Sequence, residues 1–295
     1  MNRRDTLLAM LVPVLWGLNF PATAYALQHY PPLLTAALRF ILLSIPTILL
    51  VPRPQVRLIW LVGTGLGLGL MQFAFLYTGM AVGMPPGLAS LVLQAQAPFT
   101  MLLAVLLLGE RLSARAGMGV AIAVAGLMIV GAARAQTASW LPVVLTLLAA
   151  LGWAIGNLCS RLARPSRPLH LTMWMSVIPP LPLLALSLLL EGPQVGPALA
   201  GAFTRAALPA NLGLLYIVVC SSVIGFGIWN TLMTRHPASV VAPWSLLVPV
   251  VGVLSSWAAF GDMPSATELA AGGLVIVGVL IASRSWRRIV VPAPV

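Results

Sequence analysis

The sequence predicts a polytopic helical membrane protein, ten spans built from a five-helix unit used twice. Three observations carry this reading. The 295-residue chain is 60% hydrophobic and 7% charged, with a mean hydropathy of +1.02, whereas soluble chains carry roughly 25% charged residues. Apolar runs of about 20 residues, each long enough for a ~30 Å hydrocarbon core, recur along its whole length. Finally, residues 86–131 pair two long apolar segments around the polar break GERLSARAG, and the pattern returns over 237–283. Shifted by about 151–152 positions, Pro86 meets Pro237, Pro98 meets Pro249, Gly109-Glu110 meets Gly261-Asp262, Ser113 meets Ser265 and Gly126 meets Gly278. A repeat of this kind fixes the architecture before any motif is read. It divides the chain into halves at 1–135 and 136–295.

The ten spans follow in order at roughly 6–28, 33–51, 58–80, 84–107, 113–133, 139–163, 169–190, 209–231, 237–261 and 265–284. The first begins MNRRDTLLAM and offers Ala22-Thr23-Ala24 as a small-residue cleavage pattern. Its apolar run is long for a signal peptide and further spans follow, so it reads as an uncleaved helix. The third opens on Gly63, Gly65, Gly67 and Gly69, which fail the dinucleotide spacing and follow no strand. The fourth carries Pro98 and ends at Glu110; Ser113 then caps the fifth. Cys159 and Cys220 sit inside the sixth and eighth spans, which gives neither a disulfide framework nor metal spacing. The longest connection is 191–208. The ninth span repeats the fourth, and Ser265-Ala266-Thr267-Glu268 is a capping box opening the tenth. Small residues four apart, at Gly65/Gly69, Gly79/Gly83, Gly152/Gly156 and Ser221/Gly225, let membrane helices approach closely.

Charge sets the orientation. All 16 basic residues are arginine, and the net charge of +11 is spread through short loops, which argues against nucleic acid. With the N-terminus in the cytoplasm, thirteen arginines fall on inner segments: Arg3, Arg4, Arg53, Arg57, Arg111, Arg115, Arg161, Arg164, Arg167, Arg235, Arg284, Arg287 and Arg288. Outer segments hold Arg134 and Arg205, and Arg39 lies within the second span. Basic residues collect on the cytoplasmic side, so both termini are placed inside. Five spans is an odd number, so the second half is inserted upside down relative to the first. The acidic turn keeps its carboxylate at Asp262, while Met263 and Thr267 stand where the inner copy has Arg111 and Arg115.

Enzyme chemistry finds little support. The five carboxylates, Asp5, Glu110, Glu191, Asp262 and Glu268, and the histidines His29, His170 and His236 all fall at or near span ends. No acid–base pair, nucleophile or ligand cluster assembles at mid-membrane, and no metal or cofactor is expected. Intramembrane ionisable groups mark proton relays and ion paths; without one near the centre, facilitated diffusion is the expected mode. Arg39 lies about six residues below the outer end of its span, or ~9 Å along a helix. Snorkelling to the interface accounts for it; a partner for an outer carboxylate, or a way-station for an anionic substrate group, are the sharper alternatives.

Uncharged polar and aromatic residues recur on helical faces. Trp16, Asn19, Phe20 and Thr23 share one face of the first span, and Trp153, Asn157 and Ser160 one of the sixth. Gln94, Pro98 and Met101 lie in the fourth; Ser245, Pro249, Gly252 and Ser256 in the ninth; Ser222, Phe226, Trp229 and Asn230 in the eighth; Phe73 and Tyr77 in the third. Polar groups in hydrocarbon are costly unless they meet a partner or a wet cavity. Interhelical glue is the plainer reading of any one residue; the repetition in both halves points to a central cavity. The candidate lining is Trp16, Asn19, Tyr77, Gln94, Trp153, Asn157, Trp229, Asn230 and Ser245, with Pro98 and Pro249 as flexing points.

Trp16-Gly17, Arg39-Phe40, and Pro98 followed by Leu108-Gly109-Glu110-Arg111-Leu112, with the repeated Pro249 and Phe260-Gly261-Asp262, carry a family resemblance. Over nearly its full length the chain resembles the ten-span EamA group of the drug/metabolite transporter superfamily, and most of all its bacterial aromatic-amino-acid exporters. The resemblance implies an inverted five-plus-five fold in the inner membrane, a central cavity and alternating access. It also implies export of neutral amino acids, aromatic ones included. Phosphate-bearing substrates of related carriers would need Lys or Arg deep in the cavity, and none is expected here. Efflux of uncharged amphipathic drugs or other metabolites is the alternative, and a membrane scaffold or lipid-handling protein the alternative outside transport. Ten spans suffice to enclose a path, so a monomer in the lipid bilayer is expected.

Overall fold

A computed structural model describes residues 1–110, 113–137, 140–236 and 238–286, helices joined by short connections with no strand among them. In chain order the helices are α1 (Arg3–Leu27), α2 (Pro32–Leu50), α3 (Leu58–Ala81), α4 (Pro86–Leu108), α5 (Ala114–Thr137) and α6 (Leu141–Ala163). There follow α7 (Pro168–Leu190), α8 (Gly192–Ala200), α9 (Arg205–Arg235), α10 (238–260) and α11 (Ala266–Trp286). Among the described residues, seven helices are long and apolar enough to cross a membrane: α1–α4, α6, α7 and α9. Shorter apolar helices lie within α5, α10 and α11. The long connection expected over 191–208 holds a helix of its own, α8. Arg111, Leu112, Pro237, Arg287 and Arg288, used in the repeat and charge arguments, lie outside the described residues.

Local chemistry closes the helices where the sequence says it should. Gly109 (φ +66°) ends α4 and Gly261 (φ +74°) ends α10, each in the left-handed conformation that glycine adopts without a Cβ clash. The Ser265 hydroxyl accepts from the Glu268 amide at 3.3 Å, and the Glu268 carboxyl accepts from the Ser265 amide at 2.8 Å. That is the reciprocal capping box. Ser113 Oγ accepts from the Ala116 amide at 3.2 Å and caps α5.

Lipid offers no hydrophobic drive between apolar helices, so close backbone approach has to hold them together. A Cβ on Gly67 of α3 would lie 2.4 Å from the Gly156 nitrogen of α6. Along α5, Gly119 meets Ala282 and Gly126 meets Ala271 and Val275; from α11, Gly278 meets Ala123. Rising numbers on α5 meet falling numbers on α11, so the two run antiparallel. The same holds for α4 and α10, where Gly87 meets Val253 and Ser256, and Gly252 meets Ser90. Glu110, after α4, and Asp262, after α10, therefore lie at opposite ends of the bundle.

One end is tied by buried polar contacts. Both carboxyl oxygens of Glu191, at the end of α7, accept from the first amides of α2, Leu33 at 2.8 Å and Leu34 at 3.0 Å, and Ser187 donates to it. Tyr30 donates to Asn211 at 2.6 Å, and burial holds its phenol above the usual range. A Cβ on Gly213 would lie 2.4 Å from the Ala22 carbonyl. At the other end Arg161 pairs with Glu110, and His236 and Arg235 pair with Asp5.

Candidate functional site

Irregular helical stretches carry part of the cavity wall, among them a 3₁₀ turn at Met175–Val177, whose Met175 and Ser176 line it. A π-helical stretch interrupts α3 at Gly65–Met71 and α9 at Ile217–Gly225. Such bulges widen a helix and are frequent at functional sites. Short 3₁₀ stretches, Leu93–Ala95 and Ala242–Leu247, precede Pro98 and Pro249, where proline cannot supply the amide that would return to residue i−4. Gln94 and Ser245 sit inside those stretches.

These elements surround a cavity of about 520 Å³. Its wall includes Trp16, Asn19, Gln94, Trp153, Asn157, Trp229, Asn230 and Ser245, which the sequence singled out. Tyr77 is not among them. It is fully buried, packed edge-on to Phe73 with ring centroids 5.4 Å apart. Helical periodicity brought its face inward, but its hydroxyl is spent on a buried neighbour. Pro98 and Pro249 are also buried away from the cavity, within the walls that carry Gln94 and Ser245.

Aromatic rings form two clusters. The Trp16 ring lies 5.1 Å from Phe226 and 5.3 Å from Trp229, and its Nε1 donates to the Ser221 carbonyl at 3.0 Å. Phe40 and Phe73 stand edge-to-face at 5.3 Å. The same wall carries uncharged polar groups: Asn19, whose Oδ1 is buried without a partner, and Asn230, whose amide donates to the Phe226 carbonyl. Gln72, Ser90, Gln96 and Thr172 also line the wall; none stood out in the sequence, because single polar residues in apolar runs are common helix glue.

The cavity holds one charge that the sequence placed elsewhere. Arg39 does not snorkel. It is 3% exposed, lines the cavity, and donates from Nη1 to the Tyr77 hydroxyl at 2.8 Å and from Nη2 to Ser222 Oγ at 2.9 Å. Its guanidinium carbon lies 4.0 Å over the Phe73 ring. The expectation that no Lys or Arg lies deep in the cavity is therefore wrong. A route of ~9 Å to the interface lets a long side chain snorkel, but two hydroxyls and a ring face hold this one inward. Neither hydroxyl is close to it in sequence.

Among the described residues the lining is closed off by buried side chains at one end and grows more exposed towards the other. Arg39, Leu76 and Ser90 are buried at its closed end. Towards the Glu110 end the lining passes through half-buried Asn157, Ser160 and Thr172 to exposed Met233. Among the described residues no carboxylate lines the wall and no His/Cys/Asp/Glu group could hold a metal.

The EamA-like transporter family model matches residues 5–132 and again 140–284. A protein of Salmonella typhimurium named probable amino-acid metabolite efflux pump is 41% identical over 287 residues, covering 95% of each chain. Its namesake in Escherichia coli is 38% identical over 98% of this chain and 99% of its own. A probable terminal-alkyne amino-acid exporter of Streptantibioticus cattleyicolor is 27% identical over 93% and 92%. A solved crystal structure superposes with a TM-score of 0.62 at 21% identity, spanning 98% of this chain and 100% of its own, a likeness of fold alone. This chain is a multi-pass protein of the bacterial inner membrane and belongs to the EamA-like transporter family.

Proposed function

We propose that the protein exports neutral amino acids, aromatic ones included, by facilitative alternating access. The observation that carries this reading is the one-sided cavity. It opens at the end where Arg53, Arg57, Arg161, Arg164, Arg167 and Arg235 collect, the side that the distribution of basic residues assigns to the cytoplasm. A solute inside the cell enters there and meets paired aromatic clusters, suited to an apolar side chain, among asparagine and glutamine groups. Two relatives named as amino-acid metabolite efflux pumps favour the same class.

The ten apolar helices form two five-helix units, 1–135 and 136–295, inserted with opposite orientation. Antiparallel packing of α5 on α11 and of α4 on α10 supports this, as do the two family matches in tandem. Rocking of one unit against the other closes the cytoplasmic mouth and opens the closed end, with Pro98 and Pro249 flexing their helices. The monomer encloses the path. Among the described residues no carboxylate or histidine lines the wall, so no proton-carrying side chain of that kind faces the path. Efflux of uncharged amphipathic drugs is the competing reading.

Purified protein in proteoliposomes is assayed by counterflow of labelled phenylalanine and leucine, with amphipathic drugs as competitors. Exchange of amino acids is expected, lost in Trp153→Ala and Asn157→Ala with the fold retained. Exchange of drugs alone would select the competing reading. Steady accumulation under a pH difference alone would contradict the facilitative mode.

A further inference from the structure

We infer that Arg39 is the seat for the substrate's carboxylate, with Asn19 facing its ammonium group. This rests on the amino-acid reading above and adds the polarity of the bound molecule. The guanidinium has five N–H donors and a permanent charge. Two donors are used, one from each Nη, both on neutral hydroxyls, and Nε is buried without a partner. The Phe73 face supplies attraction without neutralising the charge. The recorded ion pairs of the described residues lie elsewhere, on Glu110 and Asp5.

A buried cation without a counter-ion is costly, and the wall of a wet cavity is where a ligand can supply one. Arginine's planar fork matches a carboxylate bidentately. Buried on the same wall, the Asn19 carbonyl oxygen has no hydrogen-bond donor to satisfy it, which is the complement of an ammonium group. One cationic donor set and one unsatisfied acceptor, in a cavity otherwise aromatic and neutral, together describe a zwitterion with a large apolar side chain. The carboxylate lies deepest, at the closed end, and the side chain points towards Trp16, Phe226 and Trp229. Arg39 bridges Tyr77 of α3 and Ser222 of α9 through one N–H of each Nη, so a carboxylate takes the N–H groups that remain, Nε among them.

The test uses counterflow of labelled phenylalanine with three competitors: phenylalanine, phenylalaninamide, which lacks the carboxylate, and 3-phenylpropionate, which lacks the ammonium. In the wild type, the amide is expected to compete on the order of 10- to 100-fold more weakly than phenylalanine, the scale of a charge-assisted hydrogen bond. Arg39→Gln is expected to erase that difference, and Arg39→Lys to restore part of it. Asn19→Leu is expected to erase the preference for phenylalanine over 3-phenylpropionate. Where Arg39→Gln fails to fold, folded Arg39→Lys carries the test, its carboxylate preference being expected to fall between that of the wild type and none; a preference unchanged there overturns the assignment. Equal competition by amide and acid in the wild type overturns the inference, as does an unchanged preference in folded Arg39→Gln. If no amino acid competes in the wild type, the functional reading itself fails, and this inference with it.

Discussion

The two ends of the bundle are held by different chemistry. At the closed end the ties are buried: Glu191 across two amides of α2, Tyr30 on Asn211, and the backbone of Ala22 against Gly213. At the open end they are ion pairs with one partner in solvent: the Arg161 and Arg235 side chains are 47% and 53% exposed, on a half-buried Glu110 and a buried Asp5 that His236 also holds. Exposed ion pairs are worth about 0–1 kcal/mol, whereas a buried hydrogen bond to a charged group is worth about 1.5–3 kcal/mol and its loss strands polar atoms. On the proposed reading the buried ties keep one end shut, and the ties with an exposed partner lie at the end where solute enters.

The largest expected effect comes from breaking the buried end. Glu191→Ala strands the Leu33 and Leu34 amides and should destabilise the protein by about 3 kcal/mol or more, two charge-assisted bonds being lost; a thermal melt in detergent measures it. Next, Gly213→Ala forces a Cβ to within 2.4 Å of the Ala22 carbonyl. Overpacking of that kind costs about 1–3 kcal/mol, read from the same melt, and should also raise access from the closed side. Cysteine reactivity sharpens the contrast: Ser160→Cys should label readily with a polar maleimide, and Ser90→Cys slowly. The smallest effect is expected at the exposed end, where Glu110→Gln should change the melting free energy by less than about 1 kcal/mol. A loss there as large as that of Glu191→Ala would erase the distinction between the ends.

Much of the open end and the scaffold was legible in the chain. Helical periodicity places Trp16, Asn19, Trp153 and Asn157 on the wall because a polar group in lipid must turn inward, and the caps at Ser113 and Ser265 follow from short-range rules. The closed end was not legible. Glu191 reads as a span-end carboxylate, because nothing local signals that Leu33 and Leu34, 158 and 157 residues away in the chain, need a cap. Arg39 was misread for the same reason, its partners being 38 and 183 residues distant. Tyr77 could not be told from a cavity ring, since its face is right and only its neighbours bury it. The π-helical stretches carry no distinctive residue pattern; glycines mark the one in α3, but Ile217–Gly225 reads as ordinary apolar helix.

The account depends most on the opposite insertion of two similar halves around a cavity reached from one side. Cysteines placed singly at Glu110 and Asp262, in a Cys159→Ala, Cys220→Ala background, and probed in intact cells with a membrane-impermeant maleimide test it directly. The Asp262 position should label from outside, and the Glu110 position only after the membrane is breached. Labelling of both from the same side would contradict the account.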